Sequence, residues 1–295
     1  MKRKGGKGIS GTTILARAFL IGLSLLLYPS ISNYWNSKHQ TQAIINYAEA
    51  VSRISDEEYD RLWQQAVDYN QLLGKEGQAY SLSDEQQTTY QSLLNLSDNG
   101  IMGYIDIPTI NVSLPIYHGT ADSVLQIGVG HLEWSSLPVG GEGSHCVLSG
   151  HRGLPRSKLF THLDKVLEGD VFMIRVLNEI LTYEVDQILI VEPNDVTSLG
   201  IVEGKDYCTL ITCTPYGINT HRLLVRGHRV ATEENVGTIR VTADAIQVEP
   251  LLVAPLVAII NLLLLLLALL PKYSKHKRDA KTPILIKVDD DDLFE

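Results

Sequence analysis

The sequence predicts a mainly β domain, closed into a barrel or folded as a sandwich, behind a helical N-terminal region and between two apolar segments. Three observations carry this reading. From Gly103 onward short stretches alternate apolar and polar residues, separated by turn residues, which is the pattern of half-buried strands. Between 38 and 73 the apolar residues recur instead at helical spacing. Finally, residues 251–270 form a run with no charged side chain.

The elements follow in chain order. Lys2, Arg3, Lys4 and Lys7 precede an apolar stretch from Thr13 to Tyr28 that only Arg17 interrupts. An uncleaved membrane anchor fits residues 1–32 better than a signal peptide, because Tyr28-Pro-Ser-Ile-Ser32 is a poor small-x-small cleavage site. A helical region spans 33–100. Ile44, Ile45, Tyr47, Ala48, Val51 and Ile54 mark one amphipathic helix, and Glu57 to Leu73 a second, with Gly74 as its stop. A polar, irregular segment follows, then a short helix over 84–96 and the turn Asp98-Asn-Gly100.

Strands are expected at 103–107, 111–114, 146–149, 171–176, 181–191, 207–213 and 221–227, with one helix, Ser157 to Val166, between them. The β domain occupies 101–235, ample for a single core. A linker, 236–250, leads to the uncharged run, whose length matches a hydrocarbon core of about 30 Å. Lys272, Lys275, Lys277 and Arg278 follow it and place the tail, 271–295, in the cytoplasm by the positive-inside bias. Both termini are then cytoplasmic and residues 33–250 lie outside the membrane.

That outer portion carries 14 basic against 28 acidic residues, so nothing electrostatic draws it to nucleic acid. Asp289-Asp-Asp-Asp292 reads as a solvated acidic end. Three cysteines in an exported segment leave at least one unpaired. Cys208 and Cys213 share a predicted strand, about 16 Å apart and on opposite faces, which rules out a bond between them. A free thiol outside the cell invites oxidation, so its retention points to chemistry.

Cys213 ends the run Thr209-Leu-Ile-Thr-Cys213, because Pro215 cannot continue a central ladder. It therefore meets a loop rim, while Cys146 and Cys208 sit mid-strand and read as small buried hydrophobes. His151, in Ser149-Gly-His-Arg-Gly153, has glycine on one side and close by on the other. Most loop histidines are merely solvated, but no other histidine here has such a setting. An ordinary cysteine is mostly protonated at neutral pH, so a nearby imidazole would hold the thiolate or protonate a leaving amine. Arg222 lies on the next strand, across the ladder from Cys213 if the two pair antiparallel, and a guanidinium suits an oxyanion. Arg226 has the same strand parity and competes for that role. A zinc site of Cys208, Cys213 and His221 is disfavoured, since parity splits the two thiols.

The motifs SGHRG at 149–153 and TLITC with HR at 209–222 resemble those of sortases, the membrane-anchored cysteine transpeptidases of Gram-positive cell surfaces. Met102-Gly-Tyr-Ile-Asp-Ile-Pro108, Leu114-Pro-Ile-Tyr-His-Gly119, Gly128-Val-Gly-His131 and Cys213-Thr-Pro-Tyr-Gly217 are similar to the class C, pilin-polymerising subgroup. The C-terminal apolar run agrees with that subgroup. The resemblance implies an eight-stranded β-barrel with N-terminal helices and flanking transmembrane helices. It implies His151, Cys213 and Arg222 as catalytic residues, Thr212 as a substrate-backbone contact, and neither cofactor nor metal. Its partners would be the cytoplasmic membrane and pilin subunits with an LPxTG-like sorting signal and an acceptor lysine. Cys213 would form a thioacyl enzyme that the lysine resolves into an isopeptide bond. Anchoring of surface proteins to peptidoglycan is the alternative enzymatic reading, and a non-catalytic assembly scaffold the third. A papain-like protease is excluded by order, since there cysteine precedes histidine. One departure stands out: many pilin-specific sortases carry an Asp-Pro-aromatic lid over the active cysteine, and this chain has no Asp-Pro. In the corresponding segment, 74–89, only Tyr80 or Asp84 could substitute, and an open site is the simpler expectation.

Overall fold

The computed structural model describes residues 11–76, 80–96, 99–154 and 158–232. The expected linker at 236–250, apolar run at 251–270 and tail at 271–295 lie outside the described residues. Eight strands form: β1 (Ile101–Ile107), β2 (Val112–His118), β3 (Val129–His131), β4 (Ser144–Ser149), β5 (Val171–Val176), β6 (Glu179–Val191), β7 (Asp206–Thr214) and β8 (His221–Val230). They close into a barrel in the order β1-β2-β3-β4-β7-β8-β6-β5, which decides between barrel and sandwich. The pairs β2·β3 and β4·β7 are parallel and the others antiparallel. Inward-facing side chains such as Ile105, Ile116, Leu148, Phe172, Ile174, Tyr183, Leu210 and Val225 fill the interior.

Three of the helices precede the barrel: α1 (Gly11–Val51), α2 (Asp56–Glu76) and α3 (Asp84–Ser92). A capping box starts α3, with Ser83 and Gln86 satisfying each other's backbone N–H. Each helix is fastened to the barrel by a buried polar side chain. Tyr47 on α1 donates to the Met102 carbonyl (3.0 Å) and accepts from the Leu177 N–H (2.8 Å). Asn70 on α2 pairs with both backbone groups of Leu137. Tyr90 on α3 meets His131 Nδ1 at 3.0 Å and accepts from the Gly119 N–H. A buried polar group left unmade costs about 1–3 kcal/mol, so these bonds fix register as well as packing.

The structure corrects several sequence expectations. The apolar N-terminal stretch and the first amphipathic helix are one continuous α1, with Pro29 inside it and no break near residue 32. The expected membrane spans are a separate matter: among the described residues no helix is long and apolar enough to cross a membrane, and residues 251–270 lie outside the described residues. α2 runs two residues past Gly74. β3 escaped notice because three residues around Gly130 offer no alternation to read. The helix expected from Ser157 to Val166 appears, within the described residues, only as a 3-10 turn over Leu163–Lys165. Its apolar residues Leu159, Phe160, Leu163 and Val166 all join the barrel core, so burial, not helix formation, explains their spacing.

Candidate active site

β7 alternates as the sequence predicts. Cys208 and Leu210 point into the barrel core, while Ile211 lies on the outer face in a separate apolar cluster. Cys213 shares the parity of Ile211 and therefore faces outward, where it is half-buried. Across the antiparallel ladder its partner is Arg222. On the other side β4 runs parallel to β7 and pairs Ser149 with Ile211. His151 lies two residues beyond Ser149 and Cys213 two beyond Ile211, so continuing that register sets the two residues level with one another just past the end of β4. The three residues singled out from sequence thus meet at one end of β7.

Local bonds hold the histidine loop there. The Gly150 N–H donates to the Ile211 carbonyl (3.0 Å), and Thr212 Oγ1 donates to the Gly150 carbonyl (2.8 Å). Gly150 must be glycine, because a Cβ would stand 2.6 Å from the Phe160 ring. Gly153 has φ +77°, and a Cβ there would press on Tyr216. Thr212 was expected to contact substrate. It is buried on the opposite face of the strand from Cys213, and its hydroxyl is engaged by the histidine loop. In this structure it supports that loop rather than facing the site.

The electrostatics separate the two arginines. Arg226 makes two 3.0 Å bonds to Asp186 and lies 4.3 Å from the centre of the Tyr207 ring, so its charge is satisfied. Arg222 donates only to backbone carbonyls, His221 at 3.1 Å and Asn219 at 3.5 Å, and has no carboxylate within ion-pair distance among the described residues. His151 Nε2 lies 3.9 Å from Asp122, on the short helix α4 (Asp122–Leu125), with 30 % of its side chain exposed. Asp122 was not anticipated from sequence, since nothing marks an aspartate 29 residues earlier in the chain as a neighbour of His151.

Beside Cys213 the outer face is apolar. Val147, Leu199, Ile211 and Leu224 form its floor, with Trp134, Leu189 and Val191 packed against them. Tyr80 sets its ring edge-on to Trp134 at 5.1 Å between centres, whereas Asp84 opens α3. A cleft of about 720 Å³ lies at the other end of β7, lined by Asp206, Tyr207, His228 and Arg229, and contains none of the three site residues.

The other two cysteines are core residues. Cys146 and Cys208 are directly opposed in the β4·β7 register and fully buried. Burial and the neighbouring Cys146 push the Cys208 thiol up, so it remains protonated at neutral pH. Only Cys213 combines exposure with a cationic neighbour. Among the described residues no group of three or more His, Cys, Asp or Glu side chains is placed to hold a metal ion.

Residues 105–230 match the model of the sortase domain family. Sortase C1 from Streptococcus agalactiae is 50 % identical, with a TM-score of 0.64, over 65 % of this chain and 100 % of that one. Clostridium perfringens sortase C, solved with the C-terminal cell wall sorting motif, is 46 % identical with a TM-score of 0.58, over 65 % and 100 %. Sortase D of Bacillus subtilis is 33 % identical over 131 residues, which are 43 % of this chain and 63 % of that protein. The chain therefore spans somewhat under two thirds of that curated relative.

Proposed function

The chain belongs to the sortase family, and from that premise we propose that it is a cysteine transpeptidase that polymerises pilins. It cleaves an LPxTG-like sorting signal and joins the freed carboxyl to a lysine of the next subunit. The observation that carries this reading is the placement of Cys213 between Arg222 on β8 and the register position of His151 beyond β4. The class C neighbours support the pilin assignment, and the Clostridium perfringens structure solved with the C-terminal cell wall sorting motif supports the substrate class.

The chemistry follows from the three groups. Cys213 Sγ, as thiolate, attacks the threonine carbonyl of the signal and forms a C–S bond. Arg222 offers N–H donors and positive charge to the developing oxyanion, a contribution of about 10²–10³ in rate for one such donor. Collapse breaks the Thr–Gly C–N bond while His151, as imidazolium, gives its proton to the departing amine. The lysine ε-amine then loses a proton to His151 and attacks the thioester. Sγ leaves, and an isopeptide bond remains. The apolar floor beside Cys213 suits the Leu-Pro part of the signal, which has little polar surface to satisfy.

The catalytic barrel works outside the cytoplasmic membrane with both chain ends inside. In α1, Phe19, Leu20, Ile21, Leu25 and Leu26 are exposed among the described residues, and Tyr28, Tyr34 and Trp35 follow them. Apolar side chains ending in an aromatic group suit lipid and its interface. Residues 251–270 supply the second anchor.

The test is the acceptor. The full chain in detergent is given a sorting-signal peptide together with a lysine-bearing pilin fragment or an oligoglycine amine. Lysine-linked product is expected. Exclusive use of oligoglycine would replace pilin polymerisation with anchoring to peptidoglycan, and no product with either amine would leave the scaffold reading.

A further inference from the structure

We propose that Arg152 is a positioning residue for the reaction, one that sets the distance between His151 and Cys213. This rests on the reading of that pair as the reacting groups. Arg152 directly follows His151, and its side chain turns into the protein with only 8 % of its surface exposed. Nη2 donates to Asp164 at 2.7 Å, in the turn over Leu163–Lys165. Nη1 donates to Thr214 Oγ1 at 3.3 Å. Thr214 directly follows Cys213. One guanidinium fork therefore ties the residue after the imidazole to the residue after the thiol.

On the upstream side the loop is already held. Gly150 binds the Ile211 carbonyl through its N–H and Thr212 through its carbonyl. His151 is thus bracketed on β7, by Gly150 before it and Arg152 after it. Phe160 N–H donates to the His151 carbonyl (3.1 Å) and Gly153 N–H to Thr161 Oγ1 (3.2 Å), but those bonds tie the loop to the following segment, and the Arg152 fork is what ties its downstream side to the strand of Cys213. Tyr216, in the loop after β7, closes the arrangement: its ring lies 5.9 Å from the guanidinium carbon and fills the space beside Gly153.

The geometry suits arginine and not lysine. Thr214 and Asp164 are separate acceptors, and a planar fork can meet both at fixed angles while an ammonium reaches one at a time. The burial also argues against a chance surface pair. Nε is enclosed without a hydrogen-bond partner among the described residues, so one buried N–H goes unpaired to keep the fork in this position. A structural ion pair alone would not need the Thr214 contact.

The experiment compares Arg152→Lys, Thr214→Val, Thr214→Ser and the double Arg152→Lys/Thr214→Val in the full chain in detergent. Three readouts are taken: kcat and KM for transpeptidation, the pH profile of iodoacetamide alkylation at Cys213 mapped by mass, and the melting temperature. Arg152→Lys lowers kcat by about tenfold or more with KM within about twofold, because a small misplacement of a reacting group is costly. Thr214→Val, which keeps shape and removes the hydroxyl, lowers kcat in the same way, and Thr214→Ser restores it. The double variant is no worse than Arg152→Lys alone, since both remove one contact. The alkylation profile shifts in Arg152→Lys and Thr214→Val but not in Thr214→Ser. Unchanged kcat and alkylation profile in folded Arg152→Lys, or independent losses that multiply in the double variant, overturn the proposal. If Arg152→Lys does not fold, Thr214→Val decides alone. If the unaltered chain fails to transpeptidate, the functional reading falls, while the alkylation profiles still report whether Arg152 places His151.

Discussion

At the Thr209 end of the β7·β8 ladder Arg226 is paired with Asp186 and stacked on Tyr207, whereas at the Cys213 end Arg222 bonds, among the described residues, only to backbone carbonyls. The two arginines are four residues apart on the same face of β8. Sequence parity could not choose between them. The difference is one of charge: a guanidinium neutralised by a carboxylate and held over a ring is fixed in place and electrostatically spent, whereas one bonded only to carbonyls keeps its full charge for a developing oxyanion. The cysteines repeat the contrast on β7. Cys208 is enclosed, opposite Cys146, and its thiol is pushed up, while Cys213 is half-exposed beside a cation.

Substitutions can break this comparison, and the largest effect is expected at Cys213. Cys213→Ala abolishes turnover in a transpeptidation assay, while its unfolding free energy stays within about 0.5 kcal/mol, as for a rim residue outside the core. Arg222→Lys lowers kcat by about 10²–10³ and leaves the melting temperature near that of the unaltered chain, because charge remains but the fork is lost. Arg226→Met does the reverse. It leaves Asp186 unpaired at the barrel wall, costs about 1–3 kcal/mol in denaturant unfolding, and changes kcat by less than about threefold. Equal losses of activity from Arg222→Lys and Arg226→Met would erase the distinction.

The smallest effect concerns His145, also on the wall near Arg226. Its Nδ1 faces the Gly200 carbonyl (2.9 Å) and its Nε2 the Thr209 hydroxyl (2.7 Å), an arrangement that one neutral tautomer satisfies. Burial holds its pKa below the ordinary histidine range. The unfolded chain therefore binds this proton first, and the stability His145 contributes at neutral pH is lost as pH falls through about 6.5. Urea unfolding across that range should reveal a slope that His145→Gln flattens.

The sequence was most legible where a pattern is local. Alternation located seven of the eight strands, and the glycine and proline around His151 and Cys213 marked both as loop-rim groups. Partners brought together by topology were hidden. The opposition of Cys146 and Cys208 depends on β4 and β7 pairing in parallel, which spacing along the chain does not encode. Arg152 passed as an ordinary loop arginine because its acceptors, Asp164 and Thr214, come from two other segments. The spacing of Leu159, Phe160, Leu163 and Val166 misled, since burial by irregular backbone leaves the same apolar pattern as a helix.

The account stands or falls on what becomes attached to Cys213. Intact mass and peptide mapping, after the full chain is incubated with an LPxTG-like peptide and no amine, should find one acyl group ending in threonine. It should sit on Cys213, with Cys146 and Cys208 unmodified. An adduct on either buried cysteine, or none on Cys213 while the peptide is still cleaved, would contradict it.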